Sequence, residues 1–425
     1  MAVIDAKAAA PPAPTAAGAP GKLIAALVAG QFGVSTAILA PAIVTLSARI
    51  ATVDPDNSAA SLSLVAGVGA VLALISAPLF GALSDRTTSR FGRRRPWIIG
   101  GVLLGSIGLL LIATSTAIPV IAFGWALAQL GINASTASIT AVIPDLVPEH
   151  QRGRVSGVFS MMLNVAIVAG SLLANAFIDS QVAMFMVPAA MGVAGAAFLV
   201  WALKGLDKPA DKAGVQRYTV KEFAGSFWVN PVKHKDFAWN WAGRFLLMTG
   251  ALSVSSYQLY FLMGRFDCSI ADAVAKMTLL TVVGTATTVL GATTGGWLSD
   301  RSGRRKPFVI AAAIVITGAL VGYSTADTLS MLFVWAAISG LGQGLYFAVD
   351  IALSAKVLPD PAKAAQSMGV LNIANALPQS LIPMYAPLLL AVGSAESDNY
   401  TLLFLVGAVA ALLGAGAMQL IRSAK

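Results

Sequence analysis

Charge is scarce in this 425-residue chain, and so are the residues that build metal sites and covalent staples. Asp, Glu, Lys and Arg make up 11% of it, where a soluble domain carries roughly a quarter. The single cysteine, Cys268, excludes an internal disulfide and any cluster of thiolate ligands. Only two histidines occur, His150 and His234, both in polar connections, so no imidazole metal site is available within the apolar runs. No metal or other cofactor is expected. No G-x-x-x-x-G-K-[ST] occurs either, which leaves ATP drive without support, and no nucleophile–base pair points to an enzyme.

What is present is hydrophobic. Such residues fill 57% of the chain, and the mean hydropathy is +0.78. Apolar runs recur at lengths near the ~20 residues that cross a bilayer. The chain reads as an all-α membrane protein with twelve spans, at 22–48, 59–84, 97–115, 119–142, 154–177, 182–203, 237–263, 270–298, 307–325, 327–355, 364–391 and 400–421. Residues 1–21, Ala/Pro-rich and lacking an apolar signal core, read as a disordered cytoplasmic tail. Residues 22–203 and 237–425 then form two six-helix bundles, joined by a cytoplasmic linker at 204–236.

The net charge of +9 would suggest nucleic acid as a partner in a soluble protein. Its placement gives another cause. Arg49, Arg265 and Lys276 fall at or just inside one face, and Arg244 lies within span 7. All other Lys and Arg sit in the tails and in the loops after even-numbered spans, which predicts cytoplasmic termini in the plasma membrane. The linker pairs Lys212, Arg217 and Lys221 with Phe223, Phe227 and Trp228. It suits either an amphipathic segment on the lipid surface or a solvated tether.

One stretch recurs. Gly81 to Trp97 reads G-A-L-S-D-R-T-T-S-R-F-G-R-R-R-P-W, and Gly296 to Phe308 reads G-W-L-S-D-R-S-G-R-R-K-P-F. The copies lie about half the chain apart, as a duplicated architecture requires. The carboxamides are distributed just as unevenly. They occur at Gln31 in span 1, Gln129 and Asn133 in span 4, Asn164 and Asn175 in span 5, and Asn240 and Gln258 in span 7. Gln343 follows in span 10, and Asn372, Asn375 and Gln379 in span 11. Spans 3, 6 and 9 have none, and span 12 has only Gln419 near its end, as lipid-facing supports would. An unpaired amide in hydrocarbon is costly, so the amide-bearing spans should face each other or water. Interhelical polar packing explains any one of these residues; stripes on equivalent spans of both halves favour a shared aqueous cavity.

The paired loops, each after the second span of a six-span half, resemble the signature of the major facilitator superfamily. A narrower resemblance, to the plant-type sucrose transporters, their bacterial relatives and the glycoside–cation symporters, rests on S-D-R-T-T-S-R-F-G-R-R-R-P-W. Q-F-G at Gln31–Gly33, M-G-R at Met263–Arg265 and G-V-L-N-I-A-N-A-L-P-Q at Gly369–Gln379 extend it. The chain also departs from that group. It has no external histidine, Thr140 stands near the position of an expected arginine, and Leu259 and Phe261 replace two acids.

The resemblance implies a cytoplasmic gate built from Gly81, Asp85, Arg86, Gly92, Arg93 and Asp145, repeated by Asp300, Arg301, Gly303 and Arg304. Asp85 would meet the start of span 11, and Arg86 and Arg93 would reach Asp145. At the second-half counterpart of Asp145 stands Lys356, so the repeat is expected to be asymmetric. Asp350, in span 10, is either a proton carrier or half of a fixed ion pair. Arg244 either contacts substrate, pairs with Asp350 across the cavity or snorkels towards the cytoplasm.

The leading expectation is a secondary carrier for a sugar-like small molecule, coupled to H+ or Na+ and surrounded by membrane lipids. Gln31, Asn133, Asn164, Arg244, Tyr257, Gln258, Gln343, Tyr346, Asn372, Asn375 and Gln379 are its candidate substrate contacts. The runner-up is an exporter of apolar or cationic drugs, which would want more in-span carboxylates than Asp350 alone.

Overall fold

The computed structural model describes residues 19–209, 229–358, 364–393 and 399–421. The tail and the middle of the linker, including its cation–aromatic stretch, lie outside the described residues. Twelve long helices make up the described chain. The first half contains α1 Gly21–Val53, α2 Ser58–Asp85, α3 Arg95–Thr114, α4 Ile118–Leu146, α5 Glu149–Ala176 and α6 Ala183–Ala202. The second contains α7 Lys235–Phe266, α8 Ile270–Ser302, α9 Lys306–Ser324, α10 Leu329–Lys356, α11 Ala364–Leu390 and α12 Tyr400–Gln419. Eleven of the described helices are long and apolar enough to span a membrane. The remaining one, α11, carries Asn372, Asn375, Gln379 and three internal prolines.

The two halves repeat one packing plan. In the first, α1 packs on α5 and α6, α4 on α2 and α3, and α3 on α6. Adding six to each label gives the neighbours found in the second half: α7 on α11 and α12, α10 on α8 and α9, and α9 on α12. The halves meet through α2 against α11 and α5 against α8, which are themselves related by the same exchange. Small residues set the closest approaches. A Cβ on Gly101 of α3 would lie 2.5 Å from the Gly131 carbonyl of α4, so side chains there would force the helices apart.

The helices poor in amides turn apolar faces outward, as expected. Leu103, Leu104 and Ile107 on α3 and Val409, Leu412 and Leu413 on α12 are exposed, a surface stable only in lipid.

α1 has one interruption. Pro41 has no N–H to give the preceding turn, and the helix opens into a π turn over Pro41–Thr45, where the Leu46 N–H reaches the Pro41 carbonyl. Beyond it, Arg49 is buried and donates to the carbonyls of Ile112 (3.3 Å) and Ser115 (2.6 Å) at the end of α3, and to Gln181. A cation suits those unpaired C-terminal carbonyls.

Candidate functional site

At the end of the molecule carrying the repeated loops, the first copy forms a closed network. Arg94, just before α3, is only 4% exposed. It donates to Ser84 Oγ at 2.6 Å and Asp145 Oδ2 at 3.0 Å, and pairs with Asp85. Arg93 takes the other oxygen of Asp145 at 2.7 Å. The sequence reading assigned Arg86, with Arg93, to Asp145. Instead Arg86, which follows the last residue of α2, turns back to the Ala82 carbonyl at 2.8 Å and caps its own helix. Arg94 takes the place meant for Arg86.

A second carboxylate organises the loop from behind. Asp207, just past α6, accepts from the backbone N–H groups of Arg93 (3.2 Å), Arg94 (2.9 Å) and Arg95 (3.0 Å). These are unpaired donors at a helix start, where negative charge is favoured. Gly92 has φ +101°, and a Cβ there would lie 2.2 Å from Asp207 Oδ2. Both the conformation and the space demand glycine. Sequence reasoning missed Asp207, although a lone acid among Lys204 and Lys208 was its visible signal.

The second copy is looser. Gly303 adopts φ +66° and ends α8. Asp300 pairs with Arg305 at 2.8 Å, the counterpart of Asp85 with Arg94. Arg301 lies over the Trp297 ring at 5.5 Å, and Arg304 makes no ion pair among the described residues. Arg301 and Arg304 therefore do not repeat the expected scheme. With Lys356 in place of Asp145, no carboxylate among the described residues pairs with either.

Deeper in the second half lies a buried charge cluster. Arg244 on α7 and Asp350 on α10 are 4% and 5% exposed. They form a two-point pair, with Nε to Oδ1 at 3.1 Å and Nη2 on Oδ2. Tyr346 donates to Asp350 at 2.9 Å, Arg244 to Ser354 at 2.8 Å, and Asn240 to Ser354 at 3.1 Å. Arg244 also reaches the Leu371 carbonyl of α11 at 3.5 Å. The pair thus ties α7, α10 and α11 within one half. It does not span the cavity between halves, and Arg244 does not snorkel, because a full set of acceptors is nearer than water.

The end opposite the loops is sealed between halves. Tyr257 and Ser63 share a 2.6 Å hydrogen bond, Tyr260 donates to the Ser47 carbonyl at 3.1 Å, and Thr278 to the Ser171 carbonyl at 3.1 Å. By contrast, a Cβ on Gly81, Gly153 or Gly157 near the loop end would meet nothing within 4 Å. Asp85 has a side-chain exposure of 55%. Its expected contact, the approach to α11 at residues 359–363, lies outside the described residues.

The other sequence candidates divide accordingly. Tyr257 and Tyr346 are fully buried in the seal and in the charge cluster, so neither offers a ring face to solvent in this state. Gln258 is buried beside the seal. Asn133 donates to the Gln129 carbonyl (2.8 Å) and side chain (3.0 Å), and Gln343 to Ser339 at 3.1 Å. Asn164 is half-buried, while Asn372 and Gln379 are exposed on α11. Gln31 Oε1 and Asn375 Oδ1 are buried with no partner, which is costly unless water or a ligand reaches them. Among the described residues, no hydrogen bond links these amides across the two halves.

The sequence profile of the Major Facilitator Superfamily matches residues 23–290 and 271–424. An uncharacterized symporter of Synechocystis is 40% identical over 75 residues, 18% of this chain and 13% of the relative. A class C tetracycline resistance protein of Escherichia coli is 31% identical over 119 residues, 28% of each. The matches thus span well under a third of either relative's length. The crystal structure of the nucleoside transporter NupG superposes with a TM-score of 0.70 at 15% identity, covering 95% of this chain and 100% of that one. That likeness is one of fold. With paired loops, doubled packing plan and profile match over nearly the whole described chain, the protein belongs to the Major Facilitator Superfamily.

Proposed function

We propose that this carrier moves a sugar or glycoside by alternating access, coupled to a proton or sodium ion. The observation that carries the reading is the neutrality of the polar groups between the two ends of the bundle, away from Arg49 and the loops. Arg244 and Asp350 cancel each other, leaving Gln31, Asn133, Asn164, Gln343, Asn372, Asn375 and Gln379 as uncharged donors and acceptors. Such groups suit a polyol better than an ion. The loop end is cytoplasmic by its excess of cations, in a plasma membrane with both termini inside. The halves, 22–203 and 237–425, rock about the linker at 204–236. With the opposite end sealed, this state faces the cytoplasm, and Asp85 is the carboxylate that docks on α11 when the loop end closes.

Asp350 is the coupling candidate. Adding a proton to it would release Arg244, a change large enough to bias the two states. The runner-up, export of a drug-like solute, draws on the partial likeness to a tetracycline resistance protein. Uptake of labelled mono- and disaccharides into proteoliposomes, under imposed pH and Na+ gradients, separates the two. Gradient-driven accumulation of a sugar supports the proposal. Tetracycline flux without any sugar uptake would overturn it.

A further inference from the structure

The unequal loops leave a site on the second half that substrate transport does not use. A groove of about 570 Å3 runs along the outside of α9, lined by Arg304, Lys306, Pro307, Ile310, Ala311 and Ile314. Its floor is apolar, and Ile314 is 55% exposed. At about 1.5 Å per residue, Lys306 to Ile314 extends about 12 Å from the loop end into the spans. Two cations sit at its mouth. Neither is neutralised by a carboxylate among the described residues: Asp300 is engaged by Arg305, and Lys306 donates only to carbonyls at the end of α12, those of Gln419 and Ile421.

The equivalent region of the first half shows what is different. There a cavity of about 410 Å3 is lined by Arg93, Arg94, Asp145, Asp207 and Lys208, among others. Asp145 of α4 pairs with Arg93 and Arg94, and Asp207 at the α6 exit holds the backbone N–H groups of the loop. In the second half, Lys356 replaces the α4 acid, and α12 ends in carbonyls, with no acid before Ile421. The first pocket is polar and self-satisfied. The second combines positive charge, paired with no carboxylate among the described residues, with an apolar wall facing the bilayer.

We propose that this α9 groove binds an anionic phospholipid, with its phosphate on Arg304 and Lys306 and an acyl chain along Pro307, Ala311 and Ile314. The helix start adds to the attraction, since α9 presents the positive end of its dipole there. Basic pockets at the inner end of helices attract anionic headgroups, each cation near the surface contributing about 1 kcal/mol, or about fivefold in affinity. The acyl wall separates this ligand from a free phosphate.

The test is a lipid titration of the purified full-length protein in neutral detergent, read by native mass spectrometry. Phosphatidylglycerol should bind at least about fivefold more tightly than phosphatidylcholine, and glycerol phosphate should not displace it. Arg304→Gln should remove most of that preference. Ala311→Trp, which fills the groove and keeps both cations, should weaken phosphatidylglycerol as well. The double change Lys233→Gln/Lys235→Gln, which removes two exposed cations elsewhere, should leave it within about twofold. Equal binding of the two lipids to the unaltered protein would overturn the proposal. So would displacement by glycerol phosphate, or equal losses in the Lys233/Lys235 control.

Discussion

Tyr257 on α7 and Ser63 on α2 share a 2.6 Å hydrogen bond that crosses from one six-helix half to the other. Both are buried, Tyr257 at 1% exposure. A hydrogen bond between buried hydroxyls contributes about 1 kcal/mol, or roughly fivefold in an equilibrium. Opening the end opposite the loops would separate the two hydroxyls, so the bond should stabilise the state in which that end is shut.

Tyr257→Phe should therefore open that end more often. A cysteine placed in the seal should react with a membrane-impermeant thiol reagent about fivefold faster in the variant. Ser63→Ala should give a similar gain. Unchanged labelling in both would remove the bond from the gate.

The Arg244–Asp350 pair separates structure from coupling. Arg244→Ala or Asp350→Asn should lower stability by about 3–5 kcal/mol, because each leaves its partner buried and unpaired. The double change Arg244→Met/Asp350→Leu should recover most of the loss in thermal unfolding. If Asp350 also carries the proton, the Asp350→Asn protein that still folds will exchange sugar without accumulating it against a gradient. Protonophore-sensitive accumulation in that protein would leave the pair a purely architectural role.

Gly92→Ala should cost about 1–2 kcal/mol from its left-handed φ alone, and its Cβ would also displace Asp207. Hydrogen exchange at the amides of Arg93, Arg94 and Arg95 should accelerate in Gly92→Ala and in Asp207→Ala. Gly81→Ala meets open space, so the same amides should stay protected there.

Asn372→Ala and Gln379→Ala, both on the exposed stripe of α11, should each raise the apparent KM for the transported sugar. Loss of one hydrogen bond corresponds to about fivefold. An unchanged KM in both would move the substrate off α11.

Much of this architecture was legible because lipid imposes long apolar helices, and cations mark one side. The predicted spans match the observed helices to within a few residues at most ends. The end of α1 is an exception: it runs to Val53 instead of 48, since Arg49 reads as a boundary but is buried against α3. The Asp145 network was legible in outline and wrong in one partner. Spacing placed Arg86 and Arg94 on the same loop, and only the fold shows that Arg86 is drawn to its own helix. Arg305, shared between the copies like Arg94, was the available clue. The Tyr257–Ser63 bond joins residues 194 positions apart, a pairing that no local pattern encodes.

The π turn at Pro41–Thr45 accommodates one more residue than an ordinary turn. Since each residue advances a helix by about 100°, the side-chain register of residues 46–53 is offset from that of 21–40 by one such step. Losing one residue inside Pro41–Thr45 would restore an ordinary turn and change little upstream. Losing one at Gly30 would rotate everything beyond it and carry the Ser47 carbonyl away from Tyr260. Aligned relatives of this chain should thus tolerate a single-residue gap at Pro41–Thr45 and nowhere else in the first helix, which makes that turn a length adjuster for the seal.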